Sequence, residues 1–299
     1  MTNLYTHQDS NIRRTYFLFA FFLIVVIGLG WAFSYVFQSR GILIFAVLFS
    51  SVMAIVSYWS SDKIALAMAK AQQVKEKKDN PYLWNMVENL CITAGLPMPR
   101  IYTTPEKQIN AFATGRDPQH AAIAVTRGAL ERLENEELEG VLAHELSHVG
   151  NRDILVSTIA VILAGVISLL ADFFLRSMIF GGFRGRSNNG NAGGYLMLIG
   201  IALSILAPIG AMLIQFAISR KREFLADASG ALLTRYPEGL AKALEKIAGD
   251  SQPMKFAAHD STAHLWISSP YKKKSWFHKL FMTHPPVVER INALRGVKK

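Results

Sequence analysis

The chain has 299 residues, 51% of them apolar, and a formal net charge of +10. A mean hydropathy of +0.23 is high for a soluble protein and directs attention to membrane segments. The basic residues cluster beside apolar runs, which fits anionic lipid better than a nucleic-acid groove. The single cysteine, Cys91, excludes an intramolecular disulfide and a cysteine-rich metal site, so a metal site must use histidines and carboxylates.

The first 60 residues predict a transmembrane hairpin. Residues 15–37 carry no charge and exceed the roughly 20 residues that cross a bilayer, and residues 41–59 form a second apolar run. Arg13 and Arg14 precede the first run, which is too long for a signal peptide and lacks a clear cleavage site, so we expect an uncleaved anchor. Lysines accumulate after the second run: Lys63, Lys70, Lys75, Lys77 and Lys78. Together with Arg13 and Arg14, these lysines outweigh Arg40 in the link, which predicts that both ends of the hairpin face the cytoplasm.

Residues 61–153 predict the first part of a soluble domain. Apolar positions at helical spacing indicate helices over residues 65–77, 82–94 and 130–150. Between them, RIYTTP, NAFAT and AAIAVT are short strand-like stretches separated by proline and glycine. This part therefore combines helices with a small β-sheet.

Residues 154–218 contain a second pair of apolar runs, 154–175 and 195–218, joined by a loop rich in glycine and asparagine. Polar or helix-breaking residues interrupt both runs: Asp172, Pro208 and Gln215. Two possibilities follow: a hairpin that spans the membrane, which we favour, or a helical pair partly covered by protein.

Residues 219–299 predict the second part of the soluble domain, with an amphipathic helix over PEGLAKALEKIAG. The basic, aromatic stretch PYKKKSWFHKLF suits either a membrane surface or a solvated loop.

The sharpest local signal is HELSH, residues 144–148. On a helix, residues four apart lie on one face, about 6 Å apart along the axis. His144 and His148 can thus bind one zinc ion through ring nitrogens about 2.0–2.1 Å from it. Glu145 lies beside that face and can act as general base on a water molecule at the metal, as in metalloproteases. The motif arises by chance in roughly one chain in a hundred of this length, but its helical, apolar context favours a metal site.

A catalytic zinc site needs a third protein ligand. Other histidines and several later carboxylates are candidates: Glu223, Asp227, Glu238 and Glu245. Glu223 and Asp227 stand out because they are four residues apart in SRKREFLAD, with apolar residues between them. Glu223 would bind zinc, and Asp227 would accept a hydrogen bond from the far nitrogen of a zinc-bound histidine. The alternative is a helix surface on which these acids pair with Arg220 or Arg222.

This combination of motifs resembles a known family. H-E-x-x-H followed by a distant E-x-x-x-D is the gluzincin arrangement, and the apolar hairpin between them is similar to HtpX-type membrane metalloproteases, relatives of the CAAX prenyl endopeptidases. The likeness runs over nearly the whole chain, through NAFATG, LAHELSHVGNRD, SRKREFLAD, AHLWIS and THPPVVERI. It implies a mainly α membrane protein with two apolar helical hairpins and a zincin-like α+β catalytic domain with a small β-sheet. That domain would be split between residues 61–153 and 219–299.

The resemblance also implies roles for individual residues. The Zn²⁺ ligands, one ion per chain, would be His144, His148 and Glu223, with Glu145 as the base and Asp227 supporting a ligand. Asn110 matches the residue on an edge strand that pairs with substrate backbone, although a turn cap is the alternative.

Further residues near the motifs have weaker signals. His284 matches a late histidine near the metal, where a charged imidazole could steady the oxyanion; by itself it reads as a loop histidine before Pro285. Arg152, Asp153 and Arg290 are predicted to be structural polar anchors.

The predicted function is a zinc-dependent endopeptidase of the cytoplasmic (inner) membrane, multi-pass, with its catalytic domain facing the cytoplasm. Its substrates would be membrane proteins or unfolded protein, as the family suggests in envelope quality control and the stress response. A non-catalytic, metal-stabilised membrane scaffold or chaperone is the alternative, and it predicts a closed site with four protein ligands. Nucleic-acid binding would need the basic residues on one soluble face, and no nucleic-acid partner is predicted.

Overall fold

A computed structural model describes residues 4–36, 39–179, 202, 220–250, 252, 266–267 and 285–296. The described helices are α1 (Leu4–Val36), α2 (Arg40–Met68), α3 (Pro81–Ala94), α4 (Arg127–Arg132), α5 (Asn135–Gly150), α6 (Asp153–Ile179), α7 (Arg220–Thr234), α8 (Pro237–Gly249) and α9 (Val287–Leu294). The strands are β1 (Gln72–Val74), β2 (Arg100–Thr104), β3 (Ala111–Thr114) and β4 (Ala122–Thr126). The protein is therefore mostly helical, with one small sheet.

The first two helices form the predicted N-terminal apolar pair. Within them, Asn11–Tyr35 and Arg40–Met68 are long and apolar enough to cross a membrane. The prediction of a helix over residues 65–77 was wrong, because α2 runs on to Met68 and β1 follows it. Lys70 has a φ of 48°, a left-handed conformation that cannot continue a helix. The chain turns there and pairs with β2.

The sixth helix, α6, lies against this N-terminal pair. Its buried residues from Leu155 to Ile167 pack with Leu18 and Phe22 of α1 and Ala46 of α2. α5 and α6 meet at an angle of 87°. Arg152, in the break between them, has a φ of 57°. The second predicted arm, residues 195–218, lies outside the described residues apart from Ala202, so a spanning second hairpin stays a prediction.

The sheet lies between two packed layers. Its strand order is β1-β2-β4-β3; β2 and β4 are parallel and the other pairs antiparallel. One face contributes Ile101 and Ile123 to the main core with α3 and α5, and the other contributes Phe112 to a cluster with Leu66 and Trp266. The three predicted strand stretches are confirmed, and β3 forms an edge of the described sheet.

The predicted helix over residues 130–150 is instead two helices, α4 and α5. Leu133 between them is extended, with φ −85° and ψ 139°. Glu134 then starts α5 with a reciprocal capping arrangement, in which its side chain and that of Glu137 each accept a backbone hydrogen bond. The predicted helices over residues 82–94 and 237–249 are confirmed as α3 and α8.

Candidate metal centre

Three side chains that could hold a metal ion converge from two helices. On α5, the Nε2 atoms of His144 and His148 are 3.2 Å apart. On α7, Glu223 brings Oε1 to 3.6 Å from Nε2 of His148 and Oε2 to 3.9 Å from Nε2 of His144. Two atoms that are each about 2.0–2.1 Å from a tetrahedral zinc ion lie about 3.3 Å apart. The spacing of the two ring nitrogens therefore fits such an ion, and Glu223 is close enough to complete the set.

A close helix contact brings Glu223 to the histidines. Gly230 of α7 lies against the backbone of α5, where a Cβ atom at this position would be 2.9 Å from the backbone nitrogen of His144. Any larger residue would have to push the two helices apart. Glu223 lies two turns before this contact on the same helix, so the absence of a side chain at Gly230 helps to set its distance from the histidines.

Each histidine contacts a buried carboxylate through its other ring nitrogen. Nδ1 of His144 is 2.9 Å from Oδ1 of Asp227, and Nδ1 of His148 is 3.0 Å from Oδ2 of Asp153. A proton on each Nδ1 satisfies these contacts and leaves each Nε2 lone pair for a metal. Asp227 thus has the position predicted for it. Asp153, predicted only as a structural anchor, also contacts a histidine of the candidate metal site.

Asp227 is held in turn by Arg290. The guanidinium binds it through two hydrogen bonds, Nε to Oδ2 at 2.8 Å and Nη2 to Oδ1 at 2.6 Å. Both residues are buried. Burial raises the pKa of Asp227, but the charge of Arg290 and the hydrogen bond from His144 outweigh it and lower this pKa to about 2. The carboxylate is therefore ionised at neutral pH and fixes the orientation of His144.

The pKa of His148 is raised to about 9 before a metal binds. Burial alone would lower it, but the hydrogen bond that His148 donates to Asp153 and the charges of Glu223, Asp153 and Glu145 raise it. At neutral pH the ring therefore holds a proton that a metal must displace.

Glu145 is buried beside the histidines, and its carboxylate accepts a hydrogen bond from the backbone of Ala113 in β3. Burial is the largest cause that raises its pKa, the charges of His144 and His148 oppose that effect, and Glu223 adds to it. The net pKa is above the usual range for a glutamate. A raised pKa suits a group that takes up a proton during a reaction.

The remaining predicted residues lie in different parts of the chain. Asn110 directly precedes β3 and is 1% exposed, and its Oδ1 lies 3.2 Å from the backbone nitrogen of Ala111. At the outer edge of β3, the carbonyl of Ala111 accepts a hydrogen bond from the nitrogen of Ile267 at 3.1 Å. His284 lies outside the described residues. The roles of Asn110 and His284 stay predictions.

Comparison with known proteins identifies the family. Residues 77–298 match the sequence profile of peptidase family M48. The chain belongs to this family. A protease HtpX homologue from Caldanaerobacter subterraneus subsp. tengcongensis is 47% identical over 298 residues, covering 98% of both chains. Another, from Syntrophobacter fumaroxidans, is 50% identical over 286 residues, covering 95% of this chain and 98% of that one.

A solved structure has the same fold. The crystal structure of S. mikatae Ste24p matches with a TM-score of 0.50 and 19% identity, covering 94% of this chain and 65% of the Ste24p chain. This protein therefore spans about two thirds of the length of that relative. Together with the two apolar helices, these matches make this M48 peptidase a membrane metallopeptidase.

The donor set fits the metal that the family implies. Within the described part of the chain, the cluster has three members, His144, His148 and Glu223. Two imidazoles and one carboxylate form a catalytic type of zinc site, which leaves a fourth position for water. Among the residues that the structure describes, this set is one ligand short of the closed four-ligand site expected of a metal-stabilised scaffold.

Proposed function

We propose that this M48 peptidase is a zinc-dependent endopeptidase of the cytoplasmic membrane that hydrolyses peptide bonds in misfolded or damaged membrane proteins. Its catalytic domain faces the cytoplasm, and it acts in envelope quality control and the stress response. The observation that carries the proposal is the convergence of two Nε2 atoms and a carboxylate, with a buried carboxylate on each Nδ1. Two histidines and one glutamate are the ligand types of zinc proteases, which supports zinc over other divalent ions.

The chemistry divides among the residues around the ion. His144, His148 and Glu223 hold the metal, which when bound polarises the scissile carbonyl and lowers the pKa of a water molecule. Glu145 takes a proton from the attacking water and delivers it to the leaving amine. The hydrogen bond from Ala113 and burial between β3 and the histidines keep this carboxylate oriented.

The substrate would bind in an extended conformation beside β3, where it would replace the hydrogen bond that Ile267 donates to the carbonyl of Ala111. Backbone pairing with a strand edge tolerates many sequences, which suits a protease that removes damaged proteins. Asn110 would contact the substrate backbone, and His284 would donate a hydrogen bond to the oxyanion. The bilayer is the second partner, because α6 starts directly after the metal helix and packs on the apolar pair α1 and α2.

The proposal is tested by the variant Glu145→Gln, which keeps the shape of the side chain but cannot accept the proton. We expect purified variant protein to retain one zinc per chain and to lose at least about 100-fold in cleavage of an unfolded test protein. Glu136→Gln, an exposed acid on the same helix, is the matched control and should cleave at the wild-type rate. Unchanged cleavage by Glu145→Gln, with zinc bound, would remove Glu145 from the mechanism.

A further inference from the structure

The first membrane helix has a buried amide side chain beside the metal centre. Asn11 of α1 is 3% exposed and lies at the start of the apolar segment Asn11–Tyr35. Its Nδ2 donates hydrogen bonds to the carbonyl of Asn151 at 2.9 Å and to Oδ1 of Asp153 at 2.8 Å. Its Oδ1 accepts a hydrogen bond from Nη1 of Arg222 at 3.1 Å. The amide thus uses both its donor and its acceptor.

Both side chains that Asn11 contacts lie next to metal-binding residues. Asp153 uses its other oxygen, Oδ2, for Nδ1 of His148 at 3.0 Å. Arg222 directly precedes Glu223 in α7, and its Nη1 is also 3.5 Å from Oδ1 of Asp153. Asn11 of α1 therefore links Asp153, at the start of α6, to Arg222 of α7, the helix that carries Glu223.

An amide is suited to this position because its two partners differ in charge. The carboxylate of Asp153 needs a donor, and the guanidinium of Arg222 needs an acceptor. A carboxylate held on one oxygen by Asn11 cannot rotate freely, so its second oxygen keeps the orientation that His148 needs. An apolar side chain here would leave buried polar groups without these partners and would free Asp153 to turn.

We propose that Asn11 is a positioning residue of the metal centre, through which the first membrane helix sets the orientation of His148 and the approach of Glu223. The N-terminal hairpin is then a structural part of the active site as well as an anchor. This inference rests on the metal site proposed above. It predicts that a change confined to α1 weakens metal binding without removing any ligand.

The test compares full-length protein carrying Asn11→Leu or Asn11→Ala with wild type. Leucine has the same number and branching of side-chain heavy atoms as asparagine, whereas alanine leaves room for water, so the two variants separate lost hydrogen bonds from lost volume. Removing partners of metal ligands weakens metal binding about 10- to 100-fold. Asn11 contacts His148 only through Asp153, so we expect a loss of zinc affinity at the lower end of that range, about tenfold. The measurement is zinc competition with a chelator.

Thr15→Val is the matched control. Thr15 is also buried on α1, one turn further on, but its hydroxyl donates only to the backbone carbonyl of Asn11, at 3.0 Å. This variant should hold zinc as tightly as wild type. Equal weakening by Thr15→Val and Asn11→Leu would overturn the proposal, since any disturbance of α1 would then have the same effect.

A double variant tests whether Asn11 acts through Asp153. If it does, Asn11→Leu should add less than about threefold to the loss of zinc affinity already caused by Asp153→Asn, because coupled residues are not additive. Full additivity would overturn this route, as would wild-type zinc affinity in both Asn11 variants. Wild-type protein that holds no metal would instead contradict the metal site itself, so the two failures are distinguishable.

Discussion

The two histidines of the candidate metal site have the same arrangement but different neighbours. His144 contacts Asp227, which accepts two hydrogen bonds from the buried Arg290, while His148 contacts Asp153, whose Oδ1 is 3.5 Å from Arg222. The charges of Glu223, Asp153 and Glu145 all raise the pKa of His148. The negative charges around His148 favour a bound cation. A proton and a metal ion therefore compete for the same ring.

This competition predicts how metal binding depends on pH. The pKa of His148 is about 9 before metal binds, so the ring is protonated at neutral pH and loses that proton when a metal enters. Zinc affinity should therefore rise by about tenfold per pH unit between about pH 6 and pH 8, and flatten as the pH passes the pKa. The measurement is zinc competition against a chelator whose own pH dependence is known.

Asp153→Asn provides the comparison, because it removes the carboxylate that raises the pKa of His148. Its zinc affinity should be weaker at high pH but should change less with pH over the same interval. An identical slope in both proteins would mean that another group releases the proton.

Spacing along the sequence correctly predicted which residues share a face of one helix. His144 and His148 are four residues apart on α5, and Glu223 and Asp227 are four apart on α7, so their shared faces follow from helical geometry. Asp153 follows His148 by five residues and lies beyond the end of α5. It reaches the ring of His148 only because the chain bends between α5 and α6. Asn11 and Arg290 are far away in sequence, and no local pattern indicates their contacts.

At the level of elements, the metal centre depends on how closely α5 and α7 approach. Gly230 allows the two backbones to meet at His144, and Gly140 allows a similar contact between α5 and α8, where a Cβ atom would be 2.7 Å from the backbone nitrogen of Leu240. The helices with metal ligands are thus held by backbone contact, which leaves little room for adjustment.

Gly230→Ala should therefore weaken the site although the residue touches no metal. The added methyl group must displace backbone atoms of α5, so we expect a loss of about 1–3 kcal/mol in stability and weaker zinc binding as Glu223 moves away. Thermal unfolding and zinc competition measure the two effects.

Gly249→Ala is the control, because a methyl group at that position meets no atom within 4 Å. It should leave both quantities near their wild-type values. Wild-type zinc affinity in Gly230→Ala would show that the helix spacing does not limit the position of Glu223.

Elements were predicted well where local patterns were strong and poorly where chain direction changed. Asn80 caps α3 and Pro81 occupies its first turn, which are local signals of a helix start. The end of α2 at Met68 follows instead from the pairing of β1 with β2, a distant part of the chain. The break at Leu133 comes from the local capping of α5 by Glu134 and Glu137, which apolar spacing does not show. Apolar periodicity continues through both positions and therefore hid them.

For the whole molecule, the charge pattern predicts that both ends of the N-terminal pair face the cytoplasm. Cys91, the single cysteine, is 3% exposed, and burial raises its pKa to about 11, so its thiol is a poor nucleophile. The natural chain is therefore a suitable background for placing single reactive cysteines on either side of the membrane.

Arg40→Cys and Lys78→Cys test the orientation, since both positions are exposed. In sealed right-side-out vesicles, an impermeant maleimide should label Arg40→Cys but not Lys78→Cys. Detergent should make both reactive, and wild type should stay unlabelled throughout. The reverse pattern would place the catalytic domain on the outer side.

The contact between Asp153 and Arg222 has a consequence for how this chain tolerates change. The chain leaves the metal centre at Asp153 and returns at Arg222, where the two side chains are 3.5 Å apart. An ion pair therefore joins the two ends of the stretch that separates the histidines from Glu223. The loop that the sequence predicts within this stretch, rich in glycine and asparagine, is where insertions or deletions should disturb the ligands least.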